Sequence, residues 1–138
     1  MIKIKSQEEI DLMREACRIT RDTLKVVEDS IRVGISTKEL DKIAYDYIKS
    51  QGATPSFKNY SGFPASICTS INGEVVHGIP SNRKIQNGDI ISIDIGVIVD
   101  GYHSDSAWTY PVGKVSAEKN RLMHQTEKAL FIGLKEIK

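Results

Sequence analysis

The side chains best placed to do chemistry are two aspartates, Asp94 and Asp105, on either side of Asp100-Gly101. That dipeptide favours a two-residue hairpin turn with positive φ at both central positions. In such a hairpin Gly96 faces Asp105. Asp94 then faces Ala107, and both carboxylates lie on one face of the ribbon with Cβ atoms about 7 Å apart. The opposite face is an aliphatic row, which predicts that it is the core side.

This pair of carboxylates needs a compensating partner, because close carboxylates on a mostly buried sheet repel each other and lose hydration. A proton, an Arg or Lys, or divalent cations could compensate. The hairpin offers no nearby basic residue on that face except His103, so metal is the sharpest hypothesis, with two ions about 3.5–4 Å apart and room left at Gly96. The alternative is an exposed polar face of an edge hairpin, and a β-bulge at either aspartate would separate the carboxylates.

A second arrangement involves Cys68 and His77, on either side of Asn72-Gly73, another dipeptide typical of a two-residue turn. The same facing rule predicts that Cys68 and His77 are cross-strand neighbours. A thiol beside an imidazole suggests a cysteine nucleophile with its base, although no residue is evident that would orient the imidazole. The alternatives are a small core hydrophobe at Cys68 and a structural His77, just before the strand exit Gly78-Ile79-Pro80.

Two amphipathic helices precede these strands, and each opens with a capping box, Ser6 with Glu9 and Ser36 with Glu39. The first helix is predicted to bury a stripe consisting of Ile10, Met13, Cys17, Leu24 and Val27. The second, which ends at Gly52, is predicted to bury Leu40, Ile43, Ala44, Tyr47 and Ile48.

From Ala53 onwards, Gly and Pro punctuation and short β-branched runs predict loops and strands. Ser116 begins a last helix, which has no visible stop before Lys138. The fold class predicted from these elements is α+β, with antiparallel hairpins packed against helices.

The composition predicts one soluble domain over residues 1–138, since 40% of the residues are hydrophobic and 27% are charged. A net charge of +1 argues against nucleic acid or an anionic membrane as the main partner. No apolar run approaches the ~20 residues of a membrane-spanning helix. The N-terminus becomes charged before a signal-like stretch develops, so a cytoplasmic protein is expected, with Cys17 and Cys68 as free thiols.

Several stretches together resemble the type I methionine aminopeptidases of the bacterial kind. They are Gly34-Ile35-Ser36-Thr37, Pro55-Ser56-Phe57-Lys58, Ser66 to Asn72, Val76-His77-Gly78-Ile79-Pro80, Ile90 to Asp94 and Asp100 to Asp105. The resemblance extends over the whole chain. It implies the N-terminal half of a pita-bread (creatinase/aminopeptidase-like) fold and a metallopeptidase that removes the initiator methionine from nascent polypeptides.

The same resemblance implies roles for individual residues. Asp94 and Asp105 match two ligands of a pair of divalent cations, for which Co, Mn, Fe, Zn and Ni are not distinguished. His77 matches a catalytic histidine that contacts the substrate amide and helps stabilise the tetrahedral intermediate. The positions that match the lining of the methionine pocket are Phe57, Tyr60, Phe63 and Cys68.

The resemblance also implies that the remaining metal ligands lie in a C-terminal half that these 138 residues lack. The expectation is therefore a truncated chain with weak or absent metal binding, with His103 as a substitute ligand, and with little activity. Family membership suggests the ribosome as a docking partner. Other hypotheses are self-association through exposed surfaces, a binding module without peptidase chemistry, and a cysteine hydrolase that uses Cys68 and His77.

Overall fold

The structure, a computed structural model, describes residues 2–137, which form three α-helices, a 3-10 turn and a four-stranded antiparallel sheet. In chain order the elements are α1 (Gln7–Ser30), α2 (Thr37–Ser50), β1 (Thr54–Pro55), the 3-10 turn (Tyr60–Gly62), β2 (Ile67–Ile71), β3 (Ile90–Val99), β4 (Tyr102–Pro111) and α3 (Ala117–Lys135). None of the helices formed by residues 2–137 is long and apolar enough to cross a membrane. The predicted α+β class is confirmed.

Serine caps fix the start of each helix as the sequence predicts. Ser6 Oγ accepts the N–H of Glu9, and a Glu9 carboxylate oxygen accepts the N–H of Ser6 at 2.7 Å. Ser36 and Glu39 form the same reciprocal pair at α2, and Ser116 caps α3. Both capping boxes satisfy backbone donors that have no partner inside a helix.

The long strand β3 organises the sheet. Its ten residues pair along one edge with β4, from Val99↔Tyr102 to Ile90↔Pro111. Its other edge pairs with β2 at Ile91–Ile95 and with β1 at Val97–Ile98. One face of β3 packs against the helices and is fully buried at Ile91, Ile93, Ile95 and Val97. The predicted aliphatic core row is therefore confirmed.

The predicted core stripe of α1 is wrong in part. The buried residues of α1 are Ala16, Ile19, Thr20, Thr23 and Val27, whereas Cys17 is exposed. Two threonines can lie in the core because their hydroxyls bond to main-chain carbonyls of the preceding turn. Thr20 Oγ1 also shares a hydrogen bond with Ser104 Oγ of β4. The stripe predicted from apolar residues alone is thus rotated away from the true packing face.

The last helix, α3, ends at Lys135, earlier than predicted, with the Glu136 N–H bonded to the Gly133 carbonyl. Lys138, up to which the helix is predicted to run, lies outside the described residues. No residue of α3 is buried, and its apolar side chains, Leu130, Phe131, Ile132 and Leu134 among them, are about half exposed. Along this helix an apolar surface faces solvent.

Candidate metal and substrate site

The β3–β4 hairpin carries both predicted carboxylates on one face. Asp100 and Gly101 have φ of 45° and 83°, so the turn has positive φ at both central positions. The register runs without interruption, with Gly96 opposite Asp105 and Asp94 opposite Ala107. No bulge separates the two aspartates, and the predicted arrangement is confirmed.

Asp94 is electrostatically strained. Burial of Asp94, the negative charge of Asp105 and a hydrogen-bonding interaction with the Asp105 carboxyl raise the pKa of Asp94 to about 6. The positive charge of His77 acts in the opposite direction. Asp94 Oδ1 is buried without a hydrogen-bond partner among the described residues. A buried carboxylate oxygen without a donor costs free energy, which a proton or a cation would recover. The donor set suits a divalent cation, since such ions prefer carboxylate oxygens.

The carboxylates do not make a complete metal site by themselves. Within residues 2–137, no three side chains of His, Cys, Asp and Glu come together in a group that could hold a metal ion. His103 shares the face of Asp105 but is exposed and faces Ile98, so the expected substitute ligand is not assembled. The two aspartates fit part of a coordination shell.

Cys68 faces Asp94 rather than His77. The register of β2 against β3 pairs Cys68 with Asp94, and the side chain of Cys68 is buried. Burial, followed by the negative charges of Asp94 and Asp105, raises the pKa of the Cys68 thiol to about 11. A thiol held in its neutral form is a poor nucleophile, so the cysteine-hydrolase hypothesis loses its geometric basis.

The predicted hairpin at Asn72-Gly73 is wrong. Asn72 has a φ of 54°, but the φ of Gly73 is not positive, and no strand follows the turn. Polar bonds tie the Asn72 side chain to the start of β3, where its oxygen accepts the N–H of Ile90 and its amide donates to Asp89. Instead of forming a ladder, the chain rejoins β2 through a bond from the Thr69 N–H to the Gly78 carbonyl, at 2.8 Å.

His77 lies in the loop between these two attachments and is exposed. The bond from the Thr69 N–H to the Gly78 carbonyl returns the chain to β2 directly after His77, next to Cys68, whose partner on β3 is Asp94. His77 does not form the predicted cross-strand pair with Cys68. Val76 and His77 have φ of 44° and 52°, the left-handed region that favours glycine. No signal in the sequence predicts this conformation, because valine rarely adopts it.

The aromatic residues assigned to a pocket lie on the segment between β1 and β2. Phe57 reaches the carboxylate face, since a Cβ added at Gly96 would lie 2.6 Å from its ring. The room expected at Gly96 is therefore filled by Phe57 and the neighbouring Ser56, and glycine is required for that contact. Phe63 is half-buried, whereas Tyr60 is 75% exposed.

Asp41 is a residue of this region that sequence reasoning missed. From α2, its Oδ1 accepts the backbone N–H groups of Ser66 at 2.7 Å and Ile67 at 3.1 Å. These bonds fix the start of β2 directly before Cys68, and they are made in a partly buried setting. An aspartate on a charged helix face gives no sequence signal for such a contact.

Comparison with known proteins identifies similar sequences over almost the whole chain. The pattern of metallopeptidase family M24 matches residues 11–138. Methionine aminopeptidase 1 of Bacillus subtilis is 55% identical over 138 residues, which are all of this chain and 56% of that protein. The chain spans about half the length of the curated relatives it matches.

Solved structures show the same fold. The methionine aminopeptidase of Thermotoga maritima matches with a TM-score of 0.97 and 34% identity, covering 100% of this chain and 56% of that one. The methionine aminopeptidase of Rickettsia prowazekii matches with a TM-score of 0.93 and 40% identity, covering 95% of this chain and 53% of that one. The architecture is half of a pita-bread fold.

Proposed function

Because the chain belongs to metallopeptidase family M24, we propose that residues 1–138 are one unit, the N-terminal half of the catalytic domain of a methionine aminopeptidase. Its substrates would be nascent polypeptides that begin with methionine, and its setting the cytoplasm near the ribosome. One observation carries this proposal most directly. Asp94 and Asp105 share a face of one hairpin, and Asp94 has a buried oxygen that no donor within residues 2–137 reaches.

In the complete enzyme, two divalent ions would be held in part by Asp94 and Asp105. Such ions lower the pKa of bound water and polarise a carbonyl, which makes peptide hydrolysis feasible at neutral pH. The uncompensated charge of the two aspartates is what prepares the hairpin for a cation. With two carboxylates and no third ligand grouped with them in the part of the chain that the structure describes, this chain alone would bind metal weakly, because sparse ligand sets compete poorly with water.

The other residues would handle the substrate. His77 would donate a hydrogen bond to the scissile amide and stabilise the negative charge that develops on its oxygen. Phe57, Tyr60, Phe63 and Cys68 would line the pocket for the methionine side chain. A neutral, buried Cys68 suits that role, because an apolar wall selects a thioether over charged side chains.

Metal titration tests the proposed ligands. Calorimetric titration of the chain with Mn²⁺ should show weak binding that Asp94→Asn and Asp105→Asn each abolish. Asp100→Asn is the matched control, because it makes the same chemical change in the same hairpin at a position where Asn tolerates the positive φ. Binding that survives both site variants would contradict the assignment, and so would binding lost in the control.

Peptidase assays test the division into halves. Methionine release from a Met-Ala-Ser peptide should be negligible for this chain and measurable for a complete relative assayed beside it. Release at matching rates would show that residues 1–138 suffice for catalysis and would contradict the proposal.

The exposed surface of α3 supports a second behaviour, self-association of this half. Its half-exposed apolar side chains include Leu130 and Phe131, and contiguous apolar surfaces favour protein contacts. The edge of β4 away from β3 has no strand partner among residues 2–137. Light scattering should then give a mass above that of one chain at tens of micromolar, whereas a stable monomer would contradict self-association.

A further inference from the structure

The segment that carries His77 is held in an uncommon backbone conformation. Val76 and His77 follow one another with positive φ, and Val76 is β-branched, a residue type for which this region is a steric outlier. Neither residue is held by packing, since Val75, Val76 and His77 are all exposed. Backbone outliers of this kind persist only where the surrounding structure imposes them.

Two attachments to β2 impose this backbone conformation. At the first end, the Ile71 N–H donates to a Glu74 carboxylate oxygen at 2.8 Å, and the Glu74 N–H donates to the Ile71 carbonyl at 3.1 Å. At the second end, the Gly78 carbonyl accepts the Thr69 N–H at 2.8 Å. Three residues, 75–77, must therefore arch between points two residues apart on β2.

Gly78 allows the second attachment. A Cβ at this position would lie 2.1 Å from the Thr69 carbonyl oxygen and 2.8 Å from its carbonyl carbon, so only glycine fits. The Gly78 N–H also donates to Ser70 Oγ at 3.2 Å. We call these two attachments, at Glu74 and at Gly78, the clamp. Its second end lies at Thr69, next to Cys68, and Cys68 pairs with Asp94 on the neighbouring strand.

We propose that Val76 and Gly78 are positioning residues, and that the clamped left-handed arch exists to hold His77 at the edge of β2 next to Cys68, the residue that pairs with Asp94. This inference rests on the proposed function, since the arch would place a catalytic histidine at a metal site. The arch needs clamping because an exposed three-residue segment without attachments would adopt many backbone conformations, and His77 would not keep one position relative to β2. The unfavourable backbone conformation of Val76 and His77 is therefore maintained because it fixes the position of His77.

Paramagnetic relaxation by Mn²⁺ measures the distance from His77 to the metal in the chain as it stands. His77, His103 and His124 are its three histidines, and each gives separate imidazole signals in an NMR spectrum. Mn²⁺ bound at the aspartates should broaden His77 and also His103, which shares the face of Asp105. His124, on α3, serves as the distant reference.

Gly78→Ala should open the clamp and reduce the broadening of His77 several-fold, because relaxation falls with the sixth power of the electron–proton distance. Broadening of His103 should stay as in the unmodified chain, which shows that the metal is still bound. Unchanged broadening of His77 in a folded Gly78→Ala chain would overturn the proposal.

Two substitutions at Val76 separate positioning from stability and remain informative if Gly78→Ala fails to fold. Val76→Asn keeps a residue that tolerates positive φ, so it should raise the melting temperature by a few degrees and preserve the broadening of His77. Val76→Gly also relieves the steric cost but frees the backbone, so it should reduce that broadening without loss of melting temperature. Equal broadening in both variants would overturn the positioning role.

The unmodified chain distinguishes this inference from the proposed function. Broadening of His103 without His77 would overturn only the arch as a positioning device. Absence of broadening at both histidines would overturn the metal site and, with it, the reason for the arch.

Discussion

Two turns with similar sequences border this sheet, but only one of them joins two paired strands. Asp100-Gly101 closes a ladder in which every residue of β3 has a partner in β4. Asn72-Gly73 is followed by an arch that rejoins β2 at Thr69 and Ser70 through Gly78 and forms no ladder. The first turn lies between two long strands, one with a buried aliphatic row, whereas the second is fastened by polar bonds to Asp89 and Ile90.

This difference separates two requirements of the proposed site. Metal ligands must keep a fixed separation, and a continuous hairpin ladder supplies it for Asp94 and Asp105. A histidine that meets the substrate must lie beside the ligands without belonging to their strand, and a short strained arch supplies that placement for His77. In the proposed site, the hairpin would thus hold the metal ligands, and the arch would hold the hydrogen-bond donor.

The largest effect should come from filling the close contact on the hairpin. Gly96→Ala would place a methyl group 2.6 Å from the Phe57 ring and 2.9 Å from the Ser56 Cβ. We expect a loss of about 3 kcal/mol in the free energy of unfolding, because β3 and the segment that carries Ser56 and Phe57 must both shift. This loss lies at the upper end of the range for overpacked cores. Urea denaturation measures this loss.

Gly73→Ala is the matched control for that substitution, taken from the other turn. A Cβ at Gly73 meets nothing within 4 Å, and its φ is not positive. The control should stay within about 0.5 kcal/mol of the unmodified chain, as surface substitutions usually do. Similar losses in the two variants would mean that the close contact with Phe57 and Ser56 is not what makes glycine necessary at position 96.

The second largest effect is expected at Asp41, which holds the start of β2. This strand pairs with β3 of the hairpin and is also bonded to Gly78 at the end of the arch. Asp41→Ala leaves two backbone N–H groups of β2 without an acceptor, so we expect a loss of about 2 kcal/mol in the free energy of unfolding. The loosened start of β2 should also make Cys68 react faster with a thiol reagent, measured in a Cys17→Ser background. Asp46→Ala removes only an exposed pair with Lys42 and should change neither quantity noticeably. Slow labelling of Cys68 in Asp41→Ala would argue against the anchor.

The sequence predicts the elements that depend on neighbouring residues. Serine caps and the Asp100-Gly101 turn are local signals, and the turn fixes the register that brings Asp94 and Asp105 together. The Asn72-Gly73 hairpin could not be predicted correctly, because the Asn72 side chain is bonded to Asp89 and Ile90, which are distant in sequence. A local turn signal predicts the turn, but bonds to distant residues decide which path the chain takes after it.

Contacts made across the fold explain the other errors. The core face of α1 includes Thr20, whose hydroxyl bonds to the Ala16 carbonyl and to Ser104 of β4, and polarity alone places it outside. The filling of the space at Gly96 by Phe57 depends on a loop whose path no short motif specifies. The residues of the candidate site can be predicted from their types and from the resemblance. The contacts of Asp41 with β2, and the attachments of the arch, arise only in the folded chain.

A smaller effect, dependent on pH, should distinguish the charged region from the arch. Asp94 has a pKa raised from 3.8 to about 6 in the folded chain, so the folded state binds its proton more tightly than the unfolded state. Its contribution to stability is then fully present below about pH 4 and is lost as the pH rises through 6. We expect a decline of about 1–2 kcal/mol between pH 4 and 7 in chelator-treated buffer, less than the full shift implies because the group is only half-buried.

Asp94→Asn should abolish that decline, and Asp100→Asn should retain it. Urea denaturation at several pH values measures both profiles. Parallel profiles for the two variants would show that Asp94 is not the group responsible.

The smallest effect should come from the ion pair at the first end of the arch. Arg83 pairs with a Glu74 carboxylate, but both side chains are about half exposed, and such pairs contribute little in water. Arg83→Ala should therefore lower the free energy of unfolding by at most about 0.5 kcal/mol and leave the Mn²⁺ broadening of His77 unchanged, since Glu74 keeps its bond to the Ile71 N–H. Loss of His77 broadening in this variant would mean that a surface charge, rather than the main-chain attachments, holds the arch.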